Sequence, residues 1–202
     1  MLLNYVEGIE NHAAATTINR IVPYAVEASW ATARWQTMQK FISRYQGDRT
    51  ENFNLCIAQI LLHLQNENRN AFIKDVKALR DRVGSSMTYA ATASLNASHE
   101  ALLKCHVLTD LELIANLSNT IEAQPQETLK TLNRRLEVVG SYVNDKQYIL
   151  SIRRAAMQLM RSVSPHLPSS TQLTRSRARY GDLDISSLWL ASARLARKAN
   201  SL

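Results

Sequence analysis

Hydrophobic residues recur along most of this chain at the spacing of an amphipathic helix. Two stripes, over 129–143 and 149–163, flank a turn predicted at Asn144 and Asp145, and they indicate the antiparallel arms of one hairpin. The clearest stripe follows the i, i+3, i+4, i+7, i+8, i+11 pattern and consists of Phe53, Cys56, Ile57, Ile60, Leu61 and Leu64. The pattern therefore predicts pairs of antiparallel helices.

The stretch 25–45 predicts two short helices that meet at a tight corner between Trp30 and Trp35. Each helix carries an apolar stripe that it cannot bury alone, so such pairs are expected to stack on neighbouring pairs. We predict an all-α fold, a TPR-like or HEAT-like helical-repeat solenoid of about eight to ten helices. Trp30, Trp35 and Trp189 are candidate structural anchors of this fold.

Turn-forming and capping residues predict where the helices begin and end. We expect a first helix over 1–20 and a new helix near Pro23. Gly84 should end a helix that Ser85 restarts, and a capping box at 109–112 predicts a break near residue 108. The last helix is predicted over 186–200.

We predict a single helical-repeat segment over 1–202, with a proline-containing linker near 164–170. The outer face of the last predicted helix is apolar, whereas a terminal repeat should be polar there. The segment is therefore expected to be a fragment excised from a much larger chain.

Composition agrees with a helical chain. Only 5 Gly and 4 Pro occur in 202 residues, too few for the many tight turns of an all-β protein. The sequence has no apolar run near the length that spans a bilayer and no signal peptide at its start, so we expect a soluble, intracellular location. Cys56 and Cys105 have apolar sequence neighbours and are predicted to be buried thiols.

The formal charge of +7 is concentrated late in the chain. From Lys146 onward there are ten Lys or Arg residues, against only Asp182 and Asp184. An excess of this kind attracts acidic partners. Direct nucleic-acid binding is disfavoured, because no aromatic residues alternate with these Lys and Arg residues. Aromatic side chains at such positions would be needed to stack on the bases of a single strand. The candidate basic interaction surface consists of Arg153, Arg154, Arg175, Arg179, Arg194, Arg197 and Lys198.

Motifs that would carry chemistry are missing from the sequence. It has no glycine-rich nucleotide loop, no GxSxG and no HExxH motif. His99, Cys105 and His106 suggest a metal site, but ordinary surface or core-edge histidines explain them better, since no carboxylate stands at ligand spacing. We predict no catalytic, cofactor-binding or metal-binding residue.

Four blocks of sequence resemble the FAT region of the phosphatidylinositol 3-kinase-related protein kinases, and within them the ATR branch in a fungal version. The blocks are 27–35 (EASWATARW), 53–76, 134–160 and 188–199 (LWLASARLARKA). The resemblance implies a TPR-like solenoid that wraps the kinase domain and supports assembly into dimers with an ATRIP-type subunit. It implies a nuclear location and a role in replication-stress and DNA-damage checkpoint signalling.

In that family the kinase domain, with its ATP and Mg²⁺, lies downstream and phosphorylates Ser or Thr that precedes Gln. The resemblance therefore implies a non-catalytic segment without a cofactor of its own. Thr171, which precedes Gln172 just after the predicted linker, becomes a candidate phospho-acceptor.

Two alternatives stay open at this point. The chain could be a stand-alone TPR-like adaptor that binds an acidic protein or peptide through its basic C-terminal surface. A third reading, RNA or DNA binding by the same surface, would show a steep loss of affinity with added salt.

Overall fold

A computed structural model describes residues 2–9, 15–115, 125–160 and 180–199. These residues form nine α-helices and one 3₁₀ turn, which confirms the predicted all-α class. No helix within the described ranges is both long and apolar enough to cross a membrane. The helices are α1 (Leu2–Ile9), α2 (Ala15–Ala31), α3 (Trp35–Arg44), α4 (Phe53–Gln65), α5 (Arg69–Ala93), α6 (Leu95–Ala115), α7 (Pro125–Val138), α8 (Val143–Leu159) and α9 (Asp182–Ala199).

Contacts divide the chain into two compact units, Met1–Leu79 and Arg80–Leu202. The predicted linker near 164–170 lies outside the described residues, and the single-segment organisation stays a prediction.

In the first unit, α2 packs against α1, α3 and α4. The predicted corner is present: α2 ends at Ala31, Ala33 adopts a left-handed φ of 56°, and the Arg34 backbone N–H donates to the Ser29 carbonyl at 2.9 Å. This geometry reverses the chain within three residues. Trp30 is only 1% exposed, whereas Trp35 is half-buried.

The core of the first unit is apolar. Asn52 caps α4 by accepting hydrogen bonds from the backbone N–H groups of Asn54 and Leu55, and this fixes where the helix enters the core. The largest fully buried side chains here are Trp30, Phe41, Phe72, Met38, Leu55, Ile57, Ile60 and Leu61.

In the second unit, α6 packs against α7 and α8, and α8 packs against α9. Val107, Leu111 and Ile114 of α6 are buried, as are Ile149 and Ile152 of α8. The two predicted arms correspond to α7 and α8, and each of them packs against α6; direct packing of one arm on the other stays a prediction. The turn between them lies at 139–142, where Gly140 has a φ of 82°, and the predicted turn at Asn144 and Asp145 is wrong, since both residues lie in the first turn of α8.

Several predicted helix boundaries are also wrong. Helix α2 runs past residue 20 to Ala31 and encloses Pro23, and α9 begins four residues before the predicted start. Gly84 lies inside α5, where a glycine costs about 0.5–1 kcal/mol, and the buried Leu79 and Val83 hold the helix through it.

Two hydroxyl groups that were expected to cap helices donate instead to the backbone carbonyl four residues earlier in the same helix. The Ser85 hydroxyl donates to the Asp81 carbonyl at 2.9 Å, and the Thr109 hydroxyl donates to the Cys105 carbonyl at 3.0 Å. Such bonds are compatible with a continuous helix, so α5 passes residue 85 and α6 passes residue 108 without a break. Cys56 and Cys105 are half-buried rather than buried.

Candidate functional site

The candidate basic surface does not form one surface. Arg153 and Arg154 are 1% and 7% exposed, so their placement on a surface is wrong. They lie on α8 between residues that form the helix interfaces. Arg194, Arg197 and Lys198 are exposed on α9. Arg175, Arg179 and the candidate phospho-acceptor Thr171 lie outside the described residues.

Arg153 is buried because it binds a buried carboxylate. Its Nε and Nη2 donate to Oδ2 of Asp110 at 2.8 and 2.6 Å, and Asp110 is itself 2% exposed. The other carboxylate oxygen, Oδ1, accepts from Nε of Arg135 at 2.6 Å. One carboxylate on α6 thus binds cations from α7 and α8, and it fixes the three helices relative to one another.

His106 lies one helical turn before Asp110 on α6 and joins the same group of polar contacts through Arg135. Arg135 Nη2 donates to Nδ1 of His106 at 3.2 Å and to the His106 carbonyl oxygen at 3.4 Å. Because guanidinium only donates, Nδ1 must accept, which requires a neutral imidazole. Burial lowers the pKa of His106, Arg135 and Arg153 lower it further, and the Asp110 charge opposes them. The network is Asp110, Arg135, Arg153 and His106.

Burial also lowers the pKa of the Arg153 guanidinium, because a charge loses hydration inside the fold. The charge and the hydrogen bonds of Asp110 act in the opposite direction and raise it. Nη1 of Arg153 is buried and has no hydrogen-bond partner among the described residues. Removing Asp110 would therefore leave a buried cation without its counter-charge.

A second polar group joins α8 to α9. Gln147 Nε2 donates to the Ser192 carbonyl at 2.7 Å, and Arg154 Nη1 donates to the Ser192 hydroxyl. The guanidinium carbon of Arg154 lies 4.1 Å from the centroid of the Trp189 ring, which is a cation–π contact. Trp189 was a candidate anchor and is 49% exposed, so its ring packs on Arg154 on one side and remains accessible.

The described residues contain no group of three or more His, Cys, Asp or Glu side chains that could hold a metal ion. His99 Nε2 lies 2.7 Å from Oδ2 of Asp145, and the His99 ring packs at 4.9 Å from that of Tyr142. His99 and His106 therefore each have a structural contact of their own.

Sequence reasoning assigned Asp110 to a capping box and missed its role. A signal was present, because Asp110 stands three residues after Val107 and four before Ile114 on the buried face of α6. Arg153 likewise stands between Ile149 and Ala156 on α8. Opposite charges at core positions of two helices are the pattern that would have indicated a buried pair.

Comparison with known proteins assigns the class. A model of the FAT domain matches residues 22–202, so the chain belongs to the FAT domain family. It is 27% identical over 147 residues to the serine/threonine-protein kinase MEC1 of Kluyveromyces lactis. The expected FAT segment of an ATR-type kinase is thereby confirmed.

The match covers 72% of this chain but only 6% of the MEC1 relative. No solved structure matches the chain. The helical-repeat class therefore rests on the family and on the nine helices of the described residues.

Proposed function

We propose that this FAT domain is a non-catalytic scaffold segment of an ATR-like serine/threonine kinase in the nucleus. It wraps and regulates the kinase domain of the same polypeptide during DNA-damage and replication-stress signalling. ATP and Mg²⁺ belong to that kinase domain. The FAT family match over residues 22–202 carries this proposal, and the similarity to a kinase of the MEC1 type supports it.

The buried network gives the scaffold a physical basis. Asp110 binds Arg135 and Arg153 with three hydrogen bonds between 2.6 and 2.8 Å, so α6, α7 and α8 are held in one arrangement. Hydrogen bonds between charged groups are directional, and interiors built on them resist small displacements. A rigid frame of this kind suits a segment that positions a neighbouring domain.

The partners we propose are the kinase domain, the neighbouring helical repeats, an ATRIP-like subunit and a second copy in a dimer. The test is the kinase activity of the full-length chain with Asp110→Ala, measured on a peptide with Ser followed by Gln. Activity should fall although no kinase residue changes, whereas the exposed Glu137→Ala on α7 should leave it unchanged. Full activity of a folded Asp110→Ala enzyme would contradict the scaffold role.

The kinase assignment has a simpler test of its own. Sequencing the transcript beyond the codon for Leu202 should show further helical pairs and then a kinase domain. A stop codon within a few tens of codons would contradict the assignment.

Thr171 is proposed as a phospho-acceptor of the same kinase, because it precedes Gln172. Mass spectrometry of the active full-length kinase should find Thr171 phosphorylated, and Thr171→Ala should remove that phosphopeptide. A Thr171 that is unmodified in every preparation of active kinase would rule the site out.

A further inference from the structure

Helix α5 carries an exposed serine that follows two arginines. In the stretch 80–85, RDRVGS, Arg80 and Arg82 precede Ser85 by five and three residues. Ser85 and Arg82 are exposed, and the Arg80 side chain, whose Nη2 lies 2.5 Å from Oε2 of Glu112, is 42% exposed. One class of protein kinase selects this spacing, because carboxylates in its substrate groove pair with guanidinium groups ahead of the acceptor hydroxyl.

Arg82 and Ser85 are also neighbours in the folded helix. Residues three apart lie on the same side of an α-helix, with their Cβ atoms about 5–6 Å from each other. A phosphate on Ser85 would therefore have the Arg82 guanidinium within reach of a charge-assisted hydrogen bond. Asp81, four residues before Ser85, lies on that side as well and would repel the phosphate.

The spacing of the arginines selects Ser85 over the adjacent Ser86. Both serines are exposed. Arg80 and Arg82 precede Ser86 by six and four residues, which is one residue too far for this class of kinase. Neither serine precedes Gln, so the Ser-Gln and Thr-Gln specificity of the proposed parent kinase selects neither of them.

Helix α5 is weakened next to the acceptor. Gly84 precedes Ser85, and glycine lowers the stability of a helix interior. The Ser85 hydroxyl donates to the Asp81 carbonyl at 2.9 Å, and such a bond from a side chain weakens a helix slightly. None of the residues 84–87 is buried. The backbone around Ser85 can therefore open locally at low cost and enter a kinase groove in extended form.

We propose that Ser85, made accessible by local opening of α5 at Gly84, is phosphorylated by a protein kinase that selects arginines three and five residues before its acceptor. Oγ of Ser85 bonds to the γ-phosphorus of ATP bound to that kinase with Mg²⁺. The hydroxyl proton passes to a carboxylate of the kinase, and the bond between the γ-phosphorus and ADP breaks.

The phosphate reverses the local charge of α5. Residues 80–85 contain two arginines and one aspartate, whereas the phosphate carries a charge of about −1.5 to −2 at pH 7. Phosphorylation at Ser85 goes beyond the scaffold function, because it makes α5 the target of a kinase other than the proposed parent. It does not depend on an attached kinase domain.

The first experiment incubates the full 202-residue chain with ATP, Mg²⁺ and a purified kinase of the arginine-selecting class. Tandem mass spectrometry should locate the phosphate on Ser85. A kinase that requires carboxylates after its acceptor should leave Ser85 unmodified, because residues 86–89 contain none. An unmodified Ser85 with the first kinase would overturn the proposal, as would phosphate on Ser86 in its place or equal modification by both kinases.

Matched variants test which residues the kinase recognises. They change Arg82, because Arg80 also contacts α6. Arg82→Gln should slow Ser85 phosphorylation at least about tenfold, since the kinase loses a hydrogen bond to a charged group. Lys77→Gln removes an exposed cation of the same helix, eight residues before Ser85, and should leave the rate unchanged. Equal losses in the two variants would overturn the proposal, because net charge alone would then control the reaction.

A substitution at Gly84 tests local opening. A methyl group there has open space around it among the described residues, so Gly84→Ala should stabilise the helix without a clash. Phosphorylation of Ser85 in the folded chain should slow about two- to fivefold. In a synthetic peptide of residues 78–92, which has no tertiary structure to open, the same change should leave the rate unchanged. A Gly84→Ala chain that reacts at the original rate would overturn the opening at Gly84, as would equal slowing in the peptide.

Discussion

The two units of this FAT domain bury different chemistry. In the described part of Met1–Leu79, the only buried polar side chain is Ser29, whose hydroxyl donates to the Ala25 carbonyl at 2.7 Å. The described part of Arg80–Leu202 buries Asp110, Arg153, Arg154 and Ser192. The first core is held by apolar packing, and the second combines apolar packing with directed charge contacts.

This difference determines how each unit responds to change. An apolar core loses stability roughly in proportion to the volume removed from it. A buried ion pair adds little net stability over an apolar core, but removing one partner is costly, because the other charge stays buried without compensation. The stability of the first unit should therefore depend mainly on the volume of its buried side chains. The stability of the second unit should depend mainly on whether its buried charges keep their partners.

Asp110→Ala should have the largest effect. It leaves Arg153 buried without a counter-charge and removes a contact of Arg135, so we expect a loss of about 3 to 5 kcal/mol in the free energy of unfolding. Urea unfolding of the chain labelled with 5-fluorotryptophan, followed through the fluorine resonance of Trp189, reports on the second unit. The exposed Glu137→Ala is the control, with a change within about 0.5 kcal/mol.

The double variant Asp110→Leu with Arg153→Met separates charge from volume. Replacing both partners by apolar side chains should recover most of the lost stability, because no uncompensated charge then remains on α8. A double variant as unstable as Asp110→Ala would show that volume, and not charge, controls this core.

Trp30→Ala should have the next largest effect, about 3 to 5 kcal/mol, from the cavity that it leaves in the apolar core of the first unit. Trp35→Ala, on the other side of the corner, should cost about half as much, since Trp35 is half-buried. The measurement is urea unfolding of both variants. If the unfolding transition of Trp30→Ala were the same as that of the unmodified chain, Trp30 would not be a structural anchor of the corner.

His106 should make the second unit sensitive to acid. Its pKa is lowered below the ordinary value of 6.5, so the folded imidazole stays neutral while the unfolded one takes up a proton. Stability should be unaffected well above pH 6.5 and should decrease as the pH falls below it. Melting temperatures between pH 7.5 and 5.5 measure this, and His106→Gln should reduce the slope. An identical slope in the variant would contradict the prediction.

The substitution Glu27→Gln, in the first unit, should have the smallest effect on stability. Its carboxylate accepts a hydrogen bond from Asn54 Nδ2 at 2.9 Å, and burial raises its pKa above 4.5 despite that bond. The charged form is disfavoured in the fold, so Glu27→Gln should stabilise at pH 7 by at most about 1 kcal/mol. The gain should disappear as the pH falls to 4.5. A clear loss of stability at pH 7 would show that the charge itself is needed.

The helical class and the existence of most helices were predictable, since periodicity depends only on local sequence. The stripe from Phe53 to Leu64 is α4, and the corner between Trp30 and Trp35 separates α2 from α3. The boundaries were less predictable. Pro23 is a local signal for a helix start and Gly84 for a helix end, but both lie inside helices that tertiary burial stabilises.

The candidate site was only partly predictable, because charge in a sequence does not indicate exposure. Arg153 and Arg154 were placed in one candidate basic surface with Arg194 and Arg197 only because all four side chains are positively charged. The fold buries the first two against α6 and α9 and leaves the other two exposed. The buried pair with Asp110 joins residues 43 positions apart. Local spacing places each residue on the buried face of its own helix, but it does not show which helices meet.

The sequence by itself determined the α-helical class, the corner between the tryptophans and the membership of the FAT family. These properties depend on the spacing of apolar residues and on blocks of similar sequence. Only the tertiary structure decided that Asp110 binds two arginines, that Arg154 stacks on Trp189, and that one face of α9 is exposed. The reason is physical: a side chain's burial and partner depend on which helices meet, and that is settled by contacts between residues far apart in the chain.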